Sequence, residues 1–330
     1  MNIINIIGYA LMLLNYGFSE SISLNNTYLN RYINYLDVYN KTFSNEGLNT
    51  FTKNHKFIES HNNNNTNSYK LEINKFTDIK NYNLNLFENN NKINITNIPD
   101  SNNTINNIIP FTKDWRKYNV VTNVKDQGKC GSCWAFSTTG SIEGIMSIKT
   151  ENLFNLSEQQ LMDCSINEGN HGCRGGLMDN AFRYVMDHNL CSEKQYPYLA
   201  EEMECQEQLC DSGIRISGYK DIEANNEKIL KRAVAQQPVS VAIQANLSSF
   251  RFYSSGIYSD PMCGNELDHG VLIVGYGYDI EYDKDYWIIK NSWGEDWGEN
   301  GYIRIERNYD KMEGLCGITL QASNPQINYF

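Results

Sequence analysis

All nine cysteines of this 330-residue chain lie between Cys130 and Cys316. A cysteine-free stretch therefore precedes a cysteine-bearing remainder, and the chain divides in two before any secondary structure is considered. An odd count behind an export signal points to pairs plus one free thiol. The export signal is read at the N-terminus, where Ile4 to Leu14 form an apolar run followed by small residues around Gly17, Ser19 and Ser21. That run is too short to span a bilayer, which takes about 20 apolar residues, and no later segment does better.

The formal net charge of −11 argues against a nucleic-acid partner, since binding phosphates needs a positive field. An acidic working compartment suits such a charge. Asn-x-Ser/Thr sequons at Asn25, Asn40, Asn64, Asn94, Asn102, Asn155 and Asn246 are compatible with secretory transit, although a chain so rich in Asn produces some by chance.

Residues 25 to 62 carry Tyr, Leu and Phe at near-helical spacing, with Phe51, Asn54, Ile58 and Asn62 along one stripe. The polar tract from His61 to Ser68 breaks the pattern, and Tyr69 to Phe76 alternates as a short strand does. A second Asn-rich stretch, Asn89 to Asn107, has no periodicity and reads as an exposed linker, where proteolysis concentrates. After Pro110 the character changes. A helix is expected to begin at Cys133, another after an N-cap at Ser157, and a third over Glu227 to Ala235. Four apolar or alternating runs then predict strands: Val239 to Ala245, Gly270 to Gly277, Tyr286 to Lys290 and Gly301 to Ile305. A helical half followed by a β half suggests two subdomains meeting at a cleft.

A cysteine acts as a nucleophile when it is a thiolate, and its pKa falls at a helix N-terminus or beside an imidazolium. Cys133 stands where a helix begins, in the segment Gln127-Gly-Lys-Cys-Gly-Ser-Cys-Trp-Ala-Phe-Ser137. Of five histidines, His55 and His61 lie in the N-terminal part, His171 in a polar loop and His188 in a helical pattern. His269 differs, because the apolar run after it would hold its ring on a buried strand. An imidazole paired with a thiol needs its other nitrogen held by an acceptor, so that tautomer and ring direction are fixed.

Three segments carry a resemblance to a known family. The stretch around Cys133 closely resembles the active-site segment of papain and the cathepsins; Asp268-His269-Gly270 resembles their histidine segment; Tyr286-Trp-Ile-Ile-Lys-Asn291-Ser-Trp-Gly294 resembles their asparagine segment. His269 follows Cys133 by 136 residues, inside the family's separation of about 130 to 150. The resemblance implies an α+β fold of two subdomains, helical on the left and β-barrel-like on the right, with the active-site cleft between them and a mainly helical propeptide in front. The implied division is a signal peptide over 1–20, an inhibitory propeptide over 21–108 and a mature peptidase over 109–330.

The same resemblance assigns Cys133 as nucleophile, His269 as general acid/base and Asn291 as its orienting partner. Trp293 roofs that contact, and Gln127 with the Cys133 backbone N–H forms the oxyanion hole. Trp297 is read as structural, whereas Trp134 is read as either core or part of the site, since Trp is commonly core. It implies the disulfides Cys130–Cys173, Cys164–Cys205 and Cys263–Cys316; the leftover Cys191 and Cys210 are taken as a fourth pair, with Cys133 free. Gly175 and Gly176 fall where the family offers its backbone to an extended substrate. Leu177, Met178, Ala242, Leu267 and Gln321 fall on its S2 pocket, implying a hydrophobic P2 residue. Only eight residues separate Cys164 from Cys173, too few for the family's occluding insertion, so endopeptidase action is expected.

The N-terminal part resembles the family's inhibitory propeptide through Phe51, Asn54, Ile58 and Asn62 and then through Asn74, Phe76 and Asp78, with Glu72 where Gly is commoner. Gly47 and Phe43 stand where Arg and Glu are expected, which removes ion pairs that would hold the propeptide helices together. Maturation is expected near Ile108 or Ile109, with Asp78 as a pH-sensitive element. The expected partners are protein and peptide substrates and the chain's own propeptide, with no cofactor, metal, nucleic acid or membrane, in a monomer. The expected location is the secretory pathway, in a lysosome-like acidic vesicle or outside the cell.

Two other functions fit parts of the pattern. Cys130-Gly-Ser-Cys133 is also a Cys-x-x-Cys dithiol of the kind used by secreted thiol-disulfide oxidoreductases, but the residues before it are polar and turn-like rather than a strand. A secreted binding or storage protein of the same fold is the non-enzymatic reading, and the intact Cys and His segments argue against it. A zinc site is weaker still, because no second Cys-x-x-Cys or paired His stands at ligand spacing.

Overall fold

A computed structural model of the chain describes residues 21–80, 109–210 and 212–328, with side chains from Thr27 onward. Residues 1–20, expected to be a signal peptide, the Asn-rich stretch 89–107, expected to be a linker, the sequons at Asn94 and Asn102, the side chain of Asn25 and the expected cleavage point at Ile108 lie outside the described residues. By contacts, the described chain forms two compact units: residues 21–60 with 75–80, and 61–74 with 109–328.

The first unit is built on helices α1 (Ser21–Val38) and α2 (Asn45–Asn62), joined through Asn40 in the left-handed region. The expected Arg and Glu are missing, yet the helices are tied together by other means. Tyr32 is fully buried among Tyr35, Phe43 and Phe51, with ring centroids 5.3 to 6.0 Å away. Gly47 makes this packing feasible, since a Cβ there would collide with the Tyr32 hydroxyl. The ring thus takes the space that a longer residue at 47 would need. Arg31 and Glu59 form an ion pair at 2.7 Å, and Lys41 pairs with Asp78. The Arg31–Glu59 pair is about half exposed, so it contributes at most about 1 kcal/mol. Burial of each aromatic ring is worth about 1.5–3 kcal/mol and carries more of the stability. Asn54 donates to the Thr77 carbonyl at 2.9 Å, pinning the return segment against α2.

The second unit contains a long mixed sheet. Its strands are β1 (Tyr69–Leu71), β2 (Lys113–Asp114), β3 (Gly218–Asp221), β4 (Val239–Ile243), β5 (Tyr253–Tyr258), β6 (His269–Asp279), β7 (Lys284–Lys290), β8 (Tyr302–Glu306) and β9 (Ala322–Gln326). They run in the open order β1-β5-β8-β7-β6-β4-β9-β3, with β2 on β6. All ladders are antiparallel except β5–β8. The four runs predicted as strands after residue 238 correspond to β4, β6, β7 and β8. Tyr69 to Phe76 is the exception, since only Tyr69–Leu71 is strand. The partner strand β5 starts at Tyr253, directly after the helical turn Ser248–Arg251, so beyond Leu71 no strand remains to pair with.

Helix α3 (Cys133–Thr150) is buried on nearly all sides and lies against the sheet. Ser137 donates to the Val271 carbonyl of β6 at 2.7 Å, and Ser240 of β4 donates back to the Ser137 carbonyl at 2.8 Å. Helices α4 (Glu158–Cys164) and α5 (Met178–Asp187) pack on α3, and α6 (Glu227–Gln236) packs on β6. Ser157 caps α4 by accepting the Gln160 N–H at 3.0 Å. The four disulfides are Cys130–Cys173, Cys164–Cys205, Cys191–Cys210 and Cys263–Cys316, and Cys133 is the free cysteine. No helix among the described residues is long and apolar enough to cross a membrane.

Candidate active site

Cys133 is the first residue of α3, and the Ser132 hydroxyl before it does not cap the helix; it bonds instead to the Tyr198 hydroxyl at 2.6 Å. The first N–H groups of α3 and its positive dipole end are therefore aimed at the thiol. Cys133 Sγ accepts the Gly270 N–H at 2.7 Å, which places the residue after His269 directly on the sulfur. Both Cys133 and His269 are fully buried.

The imidazole is held from its far side. His269 Nε2 lies 2.7 Å from Asn291 Oδ1, and the same Oδ1 accepts the Ser292 N–H at 2.8 Å. Because that backbone donor fixes Oδ1 as an acceptor, Nε2 must carry the ring hydrogen. Nδ1 is then the free base, and it is buried with no hydrogen-bond partner among the described residues. Trp293 stacks on the ring at 4.9 Å and 30°, itself 1 % exposed and braced edge-on by Phe250 and Trp297.

Gln127 reaches the same place from the loop before α3. Its Oε1 accepts from Ser292 Oγ at 2.6 Å, its Nε2 donates to the Cys130 carbonyl at 2.9 Å, and its backbone N–H donates to the Ser292 carbonyl at 2.8 Å. One residue, Ser292, thereby couples Gln127 to Asn291. The electrostatics follow the burial. It pushes the Cys133 thiol well above its ordinary range against the pull of the Gly270 N–H, and lowers His269 to about 4. Burial likewise pushes Asp268 up to about 7, although its carboxylate accepts the Ala245 N–H at 2.7 Å.

Of the residues expected to line the substrate pocket, Met178, Ala242 and Leu267 share one apolar cluster with Trp134. Ala242 N–H bonds to the Gln321 carbonyl at 2.9 Å, which brings Gln321 beside them, and the half-buried Leu177 has its N–H on Asn170 Oδ1 at 2.8 Å. Gly176 lacks a side chain for a packing reason: a Cβ would stand 2.7 Å from Trp134 and 2.5 Å from Asn170 Oδ1. The remaining histidines are elsewhere, with His188 on Glu207 at 2.8 Å and His171 exposed.

Sequence reasoning missed a buried charged cluster beneath the site. Lys125 Nζ lies 2.7 Å from Glu158 and 3.4 Å from Glu143; Thr122 donates to Glu143 at 2.7 Å and accepts from Lys290 at 2.8 Å. The cluster thus joins the loop of Gln127, the helix of Cys133 and the strand leading to Asn291. Burial pushes Glu158 up to about 7 and Lys290 down to about 8. For Glu143, burial acts upward, but Lys125 and Lys290 prevail and hold it low.

The Cys130–Cys173 disulfide removes the dithiol on which an oxidoreductase reading depends. The profile of papain family cysteine proteases matches residues 109–326. The thiol protease SEN102 of Hemerocallis is 45% identical over 293 residues, covering 85% of this chain and 80% of that one. The proform of the ragweed pollen cysteine protease Amb a 11 superposes with a TM-score of 0.83 at 35% identity, covering 96% of this chain and 99% of its own. Digestive procathepsin L 3 of Tenebrio molitor gives 0.79 at 37% identity, covering 91% and 99%. The chain belongs to the papain family of cysteine proteases, and is a hydrolase with the architecture of that family's proforms.

Proposed function

We propose that the chain is a zymogen whose mature part, from about Ile109 onward, is an endopeptidase acting through a Cys133 thioester. Cys133 Sγ attacks the scissile carbonyl while its proton passes to His269 Nδ1. The tetrahedral intermediate collapses, the C–N bond breaks, and His269 gives that proton to the leaving amine. Water then attacks the thioester, His269 accepts the water's proton, and the C–S bond breaks to release acid product and restore the thiol. Asn291 keeps the ring in the Nε2–H tautomer throughout. Gln127 Nε2, which spends one N–H on Cys130, has a second to offer the oxyanion beside the Cys133 N–H.

The observation that carries this reading is the hydrogen-bonded order Ser292–Asn291–His269, with Gly270 seated on Cys133, the free thiol. The apolar cluster of Met178, Ala242 and Leu267 supports a hydrophobic P2 preference, with half-buried, uncharged Gln321 beside it. Four disulfides and the apolar N-terminal run support passage through the secretory pathway to an acidic vesicle or the exterior. An N-terminal part resembling the family's propeptides supports self-inhibition until cleavage near Ile108 or Ile109.

The test is acid treatment of the purified full chain, followed by casein digestion and labelling with an epoxide thiol reagent. Cleavage with label on Cys133 is expected, both lost in Cys133→Ala, and N-terminal sequencing should begin near residue 109. Insulin reduction that survives removal of His269, with no casein cleavage, would sink the reading.

A further inference from the structure

Strand β5 is an edge built to receive an extended guest. Its neighbour on one side is β8; on the other it holds only the three residues of β1. The contacts to that segment are dense for so short a strand. Ile257 N–H donates to the Ser68 carbonyl at 2.7 Å, the Ser68 hydroxyl donates to the Ile257 carbonyl at 2.7 Å, and Glu72 N–H donates to the Phe252 carbonyl at 2.8 Å. Gly256, opposite Tyr69, has φ +90°, and a Cβ on it would strike the Ser68 carbonyl. A glycine there is what lets the guest backbone approach. Tyr69 and Leu71 point inward and are buried, while Lys70 between them is half-buried. The Tyr69 ring packs on Tyr258 at 4.9 Å, with its hydroxyl 3.4 Å from Asp260.

Cleavage near residue 109 followed by loss of the N-terminal part takes this guest away. It leaves a strand edge with unmet hydrogen-bonding groups and an aromatic slot, which is the arrangement used for β-augmentation. The slot is also close to the chemistry. Ring contacts run from Tyr258 to Phe250 at 5.5 Å, from Phe250 to Trp293 at 5.8 Å, and from Trp293 to His269 at 4.9 Å. A polypeptide held at the edge therefore has its neighbouring residues within reach of Cys133.

We propose that the vacated β5 edge of the cleaved enzyme is a docking site for protein substrates, taking an extended segment of small hydroxyl, aromatic phenol, any residue, then aliphatic residue. The inference rests on the proteolytic reading above and adds a recognition site outside the cleft. Its occupant is a substrate rather than a second copy of the chain, because in every uncut copy this segment already fills its own edge. The two sites on one substrate act together through effective concentration, so the gain appears in KM and leaves kcat alone.

The experiment uses the full chain cut between residues 89 and 107, by its own activity or by added protease, and freed of the released part. A fluorescein-labelled Asn-Ser-Tyr-Lys-Leu-Glu peptide is titrated against cut and uncut chain by anisotropy. In parallel, a cleavable peptide is assayed with and without that sequence attached through a flexible linker of about ten residues. Binding to the cut chain only, and a KM about tenfold lower for the tethered substrate at equal kcat, are expected. A Tyr→Ala change in the tether should abolish the gain, as should Gly256→Val in the enzyme where that variant folds. Equal KM values, or no binding to the cut chain, would overturn the proposal. Binding to the cut chain with neither substrate cleaved would uphold the docking site and overturn the proteolytic reading instead.

Discussion

His269 gives its Nε2 hydrogen to Asn291 Oδ1 across 2.7 Å, and the Ser292 backbone shares that oxygen at 2.8 Å. The acceptor is thus fixed twice, once by its own chain and once by the imidazole, and the ring cannot exchange tautomers without losing a buried bond. Asn291→Ala removes the acceptor while Trp293 still stacks on the ring, so the expected loss is in kcat, about 100-fold, with KM little changed. Steady-state kinetics on a small peptide substrate check it. A variant that altered KM alone would show that Asn291 acts on substrate binding instead.

Gln127 is held by Ser292 and Cys130 on its two polar ends. Gln127→Ala removes the oxyanion donor proposed above and is expected to lower kcat by about 10²- to 10³-fold. Alkylation of Cys133 by a small thiol reagent forms no oxyanion, so its rate should stay within about threefold of wild type if the role is transition-state stabilisation. Equal losses in both measurements would point to a disordered site.

The parts of this arrangement that were legible in sequence are those in which chemistry and chain position coincide. Cys133 at a helix start, His269 before an apolar strand and Ser157 as a cap are each decided within a few residues, and the structure places all three as expected. The cluster of Lys125, Glu143, Glu158 and Lys290 was not legible, because each member alone looks like a solvated surface charge. Only the packing of α4 on α3, and of α3 on β6, whose neighbour β7 carries Lys290, brings them under one roof. The pairing of Tyr69 with Gly256 was hidden for a related reason: a three-residue strand has no pattern long enough to name a partner far along the chain. In the helical unit, the missing Arg and Glu suggested lost cohesion. The compensation lies in Tyr32, whose fit against Gly47 becomes visible only once α1 and α2 are packed.

His269 titrates near 4 in the folded chain against an ordinary value of 6.5, because burial opposes its charged form. The folded state therefore binds fewer protons than the unfolded state between those values. Stability from the neutral ring is present in full above pH 6.5 and is lost as pH falls through about 4. In the uncut Cys133→Ala chain, which cannot process itself, the melting temperature should fall over that window. Adding His269→Gln should flatten the fall, read by calorimetry at several pH values. Parallel curves for the two variants would mean that other groups set the acid sensitivity.

Gly47 faces the Tyr32 hydroxyl with no room for a Cβ. Gly47→Leu, although it favours helix formation, should destabilise the N-terminal unit by about 1–3 kcal/mol through overpacking. The sensitive readout is the rate at which added thermolysin nicks residues 21–80 in the uncut Cys133→Ala chain. That rate should rise several-fold at neutral pH, and Gly47→Leu with Tyr32→Ala should restore part of it, because the smaller residue vacates the space. No recovery in the double variant would separate the two positions.

The proposed hydrophobic P2 preference rests on the cluster of Met178, Ala242 and Leu267 with Gln321 beside it. An apolar slot gains from each buried methylene by about 0.8 kcal/mol, whereas a P2 Arg would lose water and find no carboxylate among these side chains. Peptides differing only at P2 should therefore rank Leu and Phe above Ala, and Ala above Arg, with Leu over Ala by about 10- to 100-fold in kcat/KM. Gln321→Glu supplies the missing charge at the half-buried edge of the slot. It should raise the Arg substrate by about tenfold while costing the Leu substrate little, since the surface there is partly wet. Equal responses of the two substrates would place P2 somewhere other than beside residue 321.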